Sequence, residues 1–241
     1  MIPERFSRTA VLLGESACEK IASARAVVCG VGAVGSFAAE ALARTGVGEF
    51  ELWDFDTVEE SNINRQLCAL SSTLGRPKAE VVRDRILDIN PAARVEVRAE
   101  FISAENAGAA VGNPAGGRVV VDAIDSIAPK AALIFAASEA GVAIVSSMGA
   151  ARRRDPSRVM SADIMKTFGC PVAARVRKIL RQLGYSGGCR CVFSDEPAPE
   201  SSHVSADAGG GGKVVGSCAV VAGIFGLRLA GLALSEILGE K

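Results

Sequence analysis

The chain is short of the residues that build metal centres and covalent staples. It has one histidine, one tryptophan and one tyrosine, and aromatic residues make up 5% of its 241 positions. The single His203 falls in an irregular stretch and reads as a solvated side chain. Seven cysteines are an odd number, scattered through a chain large enough to do without disulfides. Structural zinc commonly takes two Cys-X-X-Cys pairs; here only Cys189 and Cys191 lie close, as Cys-X-Cys. No zinc is therefore expected, and the free thiols suit a reducing cytoplasm. The N-terminal stretch has no apolar core and does not read as a signal peptide. Net charge is also missing. Lys plus Arg and Asp plus Glu both number 27, so only a local patch could recruit nucleic acid.

What is present is a hydrophobic content of 49%, enough for one sizeable α/β domain. Continuous apolar runs over Ala26 to Val31 and Val119 to Ile124 predict strands covered on both faces. Further strands are predicted over Glu49 to Trp53, around Val95 and Val97, over Val142 to Ser147 and over Arg158 to Ala162. Helical spacing predicts helices over Val34 to Arg44, Lys78 to Ile89 and Pro129 to Ala140. Another helix starts at Pro171, with Val172, Val176, Ile179, Leu180 and Leu183 on its apolar face. This alternation is that of a doubly wound, Rossmann-like parallel sheet. Ser194 to Lys213 reads as a long irregular segment. The apolar run Val214 to Leu238 holds Arg228, Glu236 and four glycines. A helix packed closely on a sheet or a second subunit explains it better than a membrane span.

The chemistry concentrates between Val27 and Lys78. Gly30, Gly32 and Gly35 form a Gly-X-Gly-X-X-Gly turn between a strand and a helix, where backbone N–H groups can hold a phosphate. Asp54, with Asp56 beside it, ends the next strand and suits a ribose hydroxyl. Up to this point a nicotinamide dehydrogenase would look the same. Asn62, Arg65 and Lys78 add three donors that suit a triphosphate, although each cation alone could be surface charge. Asp122 and Asp125 follow a buried strand, at the sheet edge where ligands sit. Asp125 could hold Mg²⁺ or cap the following helix.

This array, with Gly75-X-Pro77-Lys78 and the entry sequence Arg5-Phe6-Ser7-Arg8, resembles the ubiquitin-activating-enzyme-like adenylating proteins (ThiF, MoeB, HesA). The resemblance covers nearly the whole chain. It implies one adenylating domain over residues 1–241, with a nucleotide-binding part, 1–150, and a substrate-binding and dimerisation part, 151–241. The C-terminal extension would continue the sheet, and a helix would lie at a homodimer interface. By resemblance, Asp54 binds ribose, while Asn62, Arg65 and Lys78 grip the triphosphate. Asp125 holds Mg²⁺ and supports attack on the α-phosphate, and Arg8 reaches into the partner's ATP site. The reaction implied is carboxylate adenylation.

Segments such as Pro129 to Ile134, Asp163 to Thr167 and Cys191 to Ser194 resemble the branch of dehydratases acting on threonylcarbamoyladenosine in tRNA. That branch implies tRNA as substrate, ring closure with net loss of water, a possible monovalent cation and a sulfur-relay partner of the cysteine desulfurase type. The alternative is activation of the C-terminus of a ubiquitin-like sulfur carrier. Arg152, Arg153, Arg154, Arg175, Arg177, Lys178 and Arg181 make a basic patch that reads either as a tRNA-binding surface or as a solvated helix face. Phe168 and Tyr185 are the nearest aromatics for base stacking. Cys170 could be a thiol acceptor or inert, and Cys218 is expected in the core.

Overall fold

The structure is a computed structural model that describes residues 2–114, 117–197, 205–206 and 213–240. Strand β1 (Arg25–Cys29) explains the layering. Ala26 and Val28 enter one core and Val27 and Cys29 the other, and all four are sealed from solvent. A strand apolar at successive positions has to be covered on both faces. β2 (Glu49–Trp53), β4 (Arg118–Asp122) and β5 (Ala143–Ser147) repeat this burial. β3 (Arg94–Arg98) alternates exposed and half-buried positions, as an edge strand should.

The sheet has seven strands in the order β3-β2-β1-β4-β5-β7-β6, with β6 spanning Val159–Asp163 and β7 spanning Arg190–Ser194. Only β6 runs antiparallel to its neighbour. The doubly wound fold is as expected, and the C-terminal part does continue the sheet through β7 and β6. β7 itself was not anticipated: its Cys-X-Cys sequence borders Gly187 and Gly188 and reads locally as a loop. Order reverses between β1 and β4, which opens a crevice at their C-terminal ends.

Helices α3 (Gly35–Thr45), α4 (Lys78–Ile89) and α8 (Ala219–Leu238) cover one face through Leu42, Ile86 and Phe225. Helices α5 (Ala107–Val111), α6 (Ile127–Ala140) and α7 (Pro171–Gln182) cover the other through Val111, Leu133 and Leu180. Two short helices, α1 (Ser7–Leu13) and α2 (Glu15–Ser23), precede β1. A two-stranded ladder joins β8 (Ser205–Ala206) to β9 (Lys213–Val214). His203 and Gly209 to Gly212 lie outside the described residues.

By length and composition α8 could cross a membrane, yet it packs on α3 at close range. A Cβ on Gly226 would stand 2.4 Å from the Val34 carbonyl oxygen, and one on Gly223 would touch Phe37 at 3.4 Å. Gly223 and Gly226 are there for this crossing. Cys218, expected in the core, is exposed, because the helix starts just after it. On α7 the buried positions are Ala173, Val176 and Leu180, whereas Leu183 has left the helix and is exposed.

Candidate active site

The glycine turn closes the crevice from below. Gly30 has φ +84°, and a Cβ there would lie 2.9 Å from the Ala123 carbonyl oxygen, so the tips of β1 and β4 demand glycine. A Cβ on Gly35 would lie 1.8 Å from the Gly30 carbonyl oxygen. Gly32 is different. Its Cβ would meet nothing nearer than the Gln66 side chain at 3.7 Å, so protein packing does not require glycine there. The open space leaves room for a ligand to come close to the backbone. Gly32 faces a cavity of about 540 Å³ bordered also by Gly30, Asp54, Arg65, Lys78 and Asp125.

Asp54 is fixed by two backbone donors. Val31 N–H donates to Oδ2 at 2.8 Å and Asp56 N–H to Oδ1 at 2.9 Å. Burial raises its pKa above the ordinary value, against the pull of those two N–H groups. Each carboxylate oxygen keeps a lone pair for a further donor. Lys78 is buried at the start of α4, and its Nζ donates to Asp56 Oδ2 at 2.8 Å. Asp56 therefore holds the ammonium over the cavity floor. Arg65 Nη1 donates to the Ser61 carbonyl at 2.8 Å and to Asn64 Oδ1 at 2.9 Å, and Asn64 Nδ2 donates to the Ser217 carbonyl at 3.0 Å. The donor loop is thus tied to the segment that opens α8.

Asn62 does not join this group. It is buried away from the cavity, where its Oδ1 accepts the Glu59 N–H at 3.2 Å and caps its own 3₁₀ turn. Its Nδ2, the group that would donate to a phosphate, gives a hydrogen bond to the neighbouring Ser61 hydroxyl at 3.3 Å. Gln66, one turn on, lines the cavity instead.

Asp125 is exposed at the cavity edge and accepts a hydrogen bond from Ser126 Oγ at 3.2 Å. No cluster of three or more metal-ligating side chains occurs among the described residues. One carboxylate facing open space beside a phosphate site fits Mg²⁺, which keeps most of its shell as water and phosphate oxygen.

Beneath Asp125 lies an arrangement sequence reasoning missed. Lys130 Nζ donates to Asp122 Oδ2 at 2.6 Å, and Ser146 Oγ donates to the same oxygen at 2.5 Å. Asp122 Oδ1 accepts the Ile124 N–H at 3.1 Å, which fixes the turn carrying Asp125. The available signal was a single cation inside an otherwise apolar helix.

At the rim, Phe55 and Phe101 meet edge to face with centroids 5.3 Å apart. Ala151 and Val172 border the same cavity, which brings the start of α7 to its mouth. Arg154, Arg175, Lys178 and Arg181 are exposed, and Arg152 and Arg177 are half-buried. Arg153 is a correction. It is buried, with its guanidinium on the Glu196 carbonyl oxygen, and is not presented to a phosphate. Tyr185 is buried too, its hydroxyl accepting the Cys189 N–H at 2.7 Å, so it offers no face to a base. Cys170 is sealed at the start of α7, and burial pushes the neighbouring Cys191 thiol up to about 12. Arg8, exposed on α1, lies outside the cavity of its own chain.

The sequence pattern of the ThiF family matches residues 6–240. The chain belongs to the ThiF family. A ThiF-family relative, the tRNA threonylcarbamoyladenosine dehydratase of Bacillus subtilis, is 43% identical over 192 residues, or 80% of this chain and 75% of that protein. The solved E. coli tRNA N6-threonylcarbamoyladenosine dehydratase, TcdA, in complex with ATP, is 37% identical at a TM-score of 0.87. The match covers 98% of this chain and 94% of that one. The adenylyltransferase and sulfurtransferase MOCS3 of Drosophila willistoni is 27% identical over 240 residues, covering 98% of this chain and 47% of that protein.

Proposed function

We propose that this chain is an ATP-dependent dehydratase that adenylates the carboxylate of threonylcarbamoyladenosine in tRNA and cyclises it. The observation that carries the reading is one cavity bordered by the glycine turn, Asp54, Arg65, Lys78 and Asp125. The likeness to dehydratases is also stronger than that to the sulfur-carrier enzyme, at 43% against 27% identity.

Asp54 binds the ribose hydroxyls of ATP, and the backbone at Gly32 lies against the phosphates. Arg65 and Lys78 face the oxygens on which charge develops; Lys78 leaves Asp56 only by a short swing, so its charge is stored at the site. The substrate carboxylate attacks the α-phosphorus and pyrophosphate leaves. The carbamoyl group then attacks the acyl carbon, a proton is lost and AMP departs with one former carboxylate oxygen. The net change in the nucleoside is loss of water. Asp125 would hold Mg²⁺, which supplies positive charge against the repulsion between carboxylate and polyphosphate. A monovalent cation would add to that screening.

The two parts of the single domain divide the work. Residues 1–150 hold the nucleotide, and residues 151–241 hold tRNA and contribute to a homodimer. In the dimer Arg8 would serve the partner's site: α1 buries none of its residues and leaves Val11 and Leu12 bare. Such an enzyme works in the cytoplasm, and a cysteine desulfurase-type partner would dock on the assembled protein.

The test is to incubate the protein with ATP, Mg²⁺ and tRNA carrying the modified nucleoside, then to digest and weigh the nucleosides. A product one water lighter, with AMP and pyrophosphate in equal amounts, supports the reading. Asp125→Ala should bind ATP, fold normally and release no AMP. An adenylate formed only on a Gly-Gly-tailed carrier protein would replace this reading with sulfur-carrier activation.

A further inference from the structure

Phe168 presents a bare ring that the fold holds in place. The residue is 56% exposed, while its ring meets Phe193 edge to face at 5.5 Å and 79°. Phe193 is fully buried in β7, so the platform beneath is rigid. The backbone on either side is also pinned. Thr167 Oγ1 donates to the Ile164 carbonyl at 2.8 Å and accepts from the Arg177 guanidinium. Gly169 has φ +65°, and a Cβ there would lie 2.8 Å from Asp195 Cβ. The backbone that carries the ring is therefore held on both sides.

A single exposed apolar side chain is ordinary on a protein surface. Two further observations set Phe168 apart. The first is charge. Lys166, two residues before it, and Arg175 and Lys178 on the helix that follows are exposed, and Arg177 of that helix reaches the adjacent Thr167. The nearby carboxylates are already engaged: Asp163 accepts the Met165 and Gly188 N–H groups, and Asp195 takes Arg158 Nε at 2.9 Å. The second is position. Val172, at the cavity mouth, is four residues further along, so its Cα lies within about 14 Å of that of Phe168 even for a fully extended chain.

A nucleoside that enters the cavity to meet ATP leaves its chain neighbours unstacked at the mouth. Unpaired bases regain stacking on exposed aromatic faces, and cations around such a face hold the backbone. We propose that Phe168 is the stacking platform for an unpaired base flanking the nucleoside that enters the cavity. This inference rests on the tRNA reading above.

The experiment uses the full-length protein, tRNA carrying the modified nucleoside, and a short single-stranded oligoribonucleotide with 2-aminopurine on either side of that nucleoside. Binding of wild type should quench the fluorophore on one side, and Phe168→Trp should preserve the quench. Phe168→Ala should abolish the quench and weaken tRNA binding about tenfold or more. Phe168→Leu keeps apolar contact with Phe193 but lacks a ring face, and it should behave like Phe168→Ala. ATP affinity should stay at the wild-type level in all three variants. Wild-type tRNA affinity and quench in both Phe168→Ala and Phe168→Leu would overturn the platform and leave the proposed activity standing. Failure of wild type to bind the modified tRNA at all would overturn both.

Discussion

Lys130 and Asp122 form an ion pair at 2.6 Å whose side chains are 1% and 0% exposed. The pair links the first turn of α6 to the end of β4, directly below the turn that aims Asp125. Breaking a buried pair from one side strands the remaining charge and costs about 3–5 kcal/mol. Lys130→Met alone should therefore lower the urea midpoint strongly. Combining it with Asp122→Leu should cost less than the sum of the single losses, which a double-mutant cycle measures. Strict additivity would show that the two side chains do not act as a pair.

The raised pKa of Asp54 sets a direction for pH dependence. Its ordinary value is 3.8, and burial lifts it. Protonation of this group favours the fold as pH falls, but it removes the acceptor offered to ribose. ATP affinity should thus weaken on lowering the pH from neutral, at values where the fold still holds. Calorimetric titration of ATP should show this dependence in wild type, and Asp54→Asn should bind weakly at every pH. A wild-type affinity that stays constant down to the ordinary carboxylate range would sink the ribose role.

If Arg8 acts across a homodimer, two inactive proteins should rescue each other. Arg8→Ala and Asp125→Ala should each make no AMP, and a co-refolded mixture should recover about a quarter of wild-type activity, because half the dimers are mixed and each carries one intact site. Sedimentation should give a dimer for all three samples. Full activity of Arg8→Ala alone would remove the argument.

The exposed cations of α7 should act on tRNA and on nothing else. Replacing Arg175, Lys178 and Arg181 with Glu spares the buried Ala173, Val176 and Leu180, so the fold should be kept. The Michaelis constant for tRNA should rise, and the slope of log affinity against log salt should flatten by about 0.7–0.9 for each phosphate that the protein no longer neutralises. ATP affinity should not change. Arg153→Ala should behave differently, losing stability first, since that side chain is buried with its guanidinium on the Glu196 carbonyl.

The sequence was most legible where one physical demand ruled. β1 and β4 are apolar at consecutive positions because both faces are covered, and α4 has the same bounds, Lys78–Ile89, in pattern and structure. Gly30 and Gly35 could be read because the close approach they permit leaves no alternative residue. Legibility failed where local and long-range demands diverged. β7 follows two glycines and starts with Arg190, so only its place between β5 and β6 makes it a strand. Arg153 looks like its neighbours Arg152 and Arg154, and only the Glu196 carbonyl distinguishes it. Asn62 has the right residue type for a phosphate donor, but sequence alone could not show that its Oδ1 accepts the Glu59 N–H and that it is buried rather than on the cavity lining. Lys130 escaped notice because its partner lies eight residues back on another element.

The position of β7 matters for how this protein is made on the ribosome. β6 leaves the exit tunnel first, yet its ladder partner is β7, which arrives about thirty residues later and must slide between β5 and β6. Until then β5 presents an unpaired edge, and α8, the last helix, has not yet covered Val121 and Val145. The nascent chain would thus hold a nearly finished nucleotide crevice beside an open, sticky flank. A pause in translation between β6 and α8 is the interval in which chaperone protection should matter most.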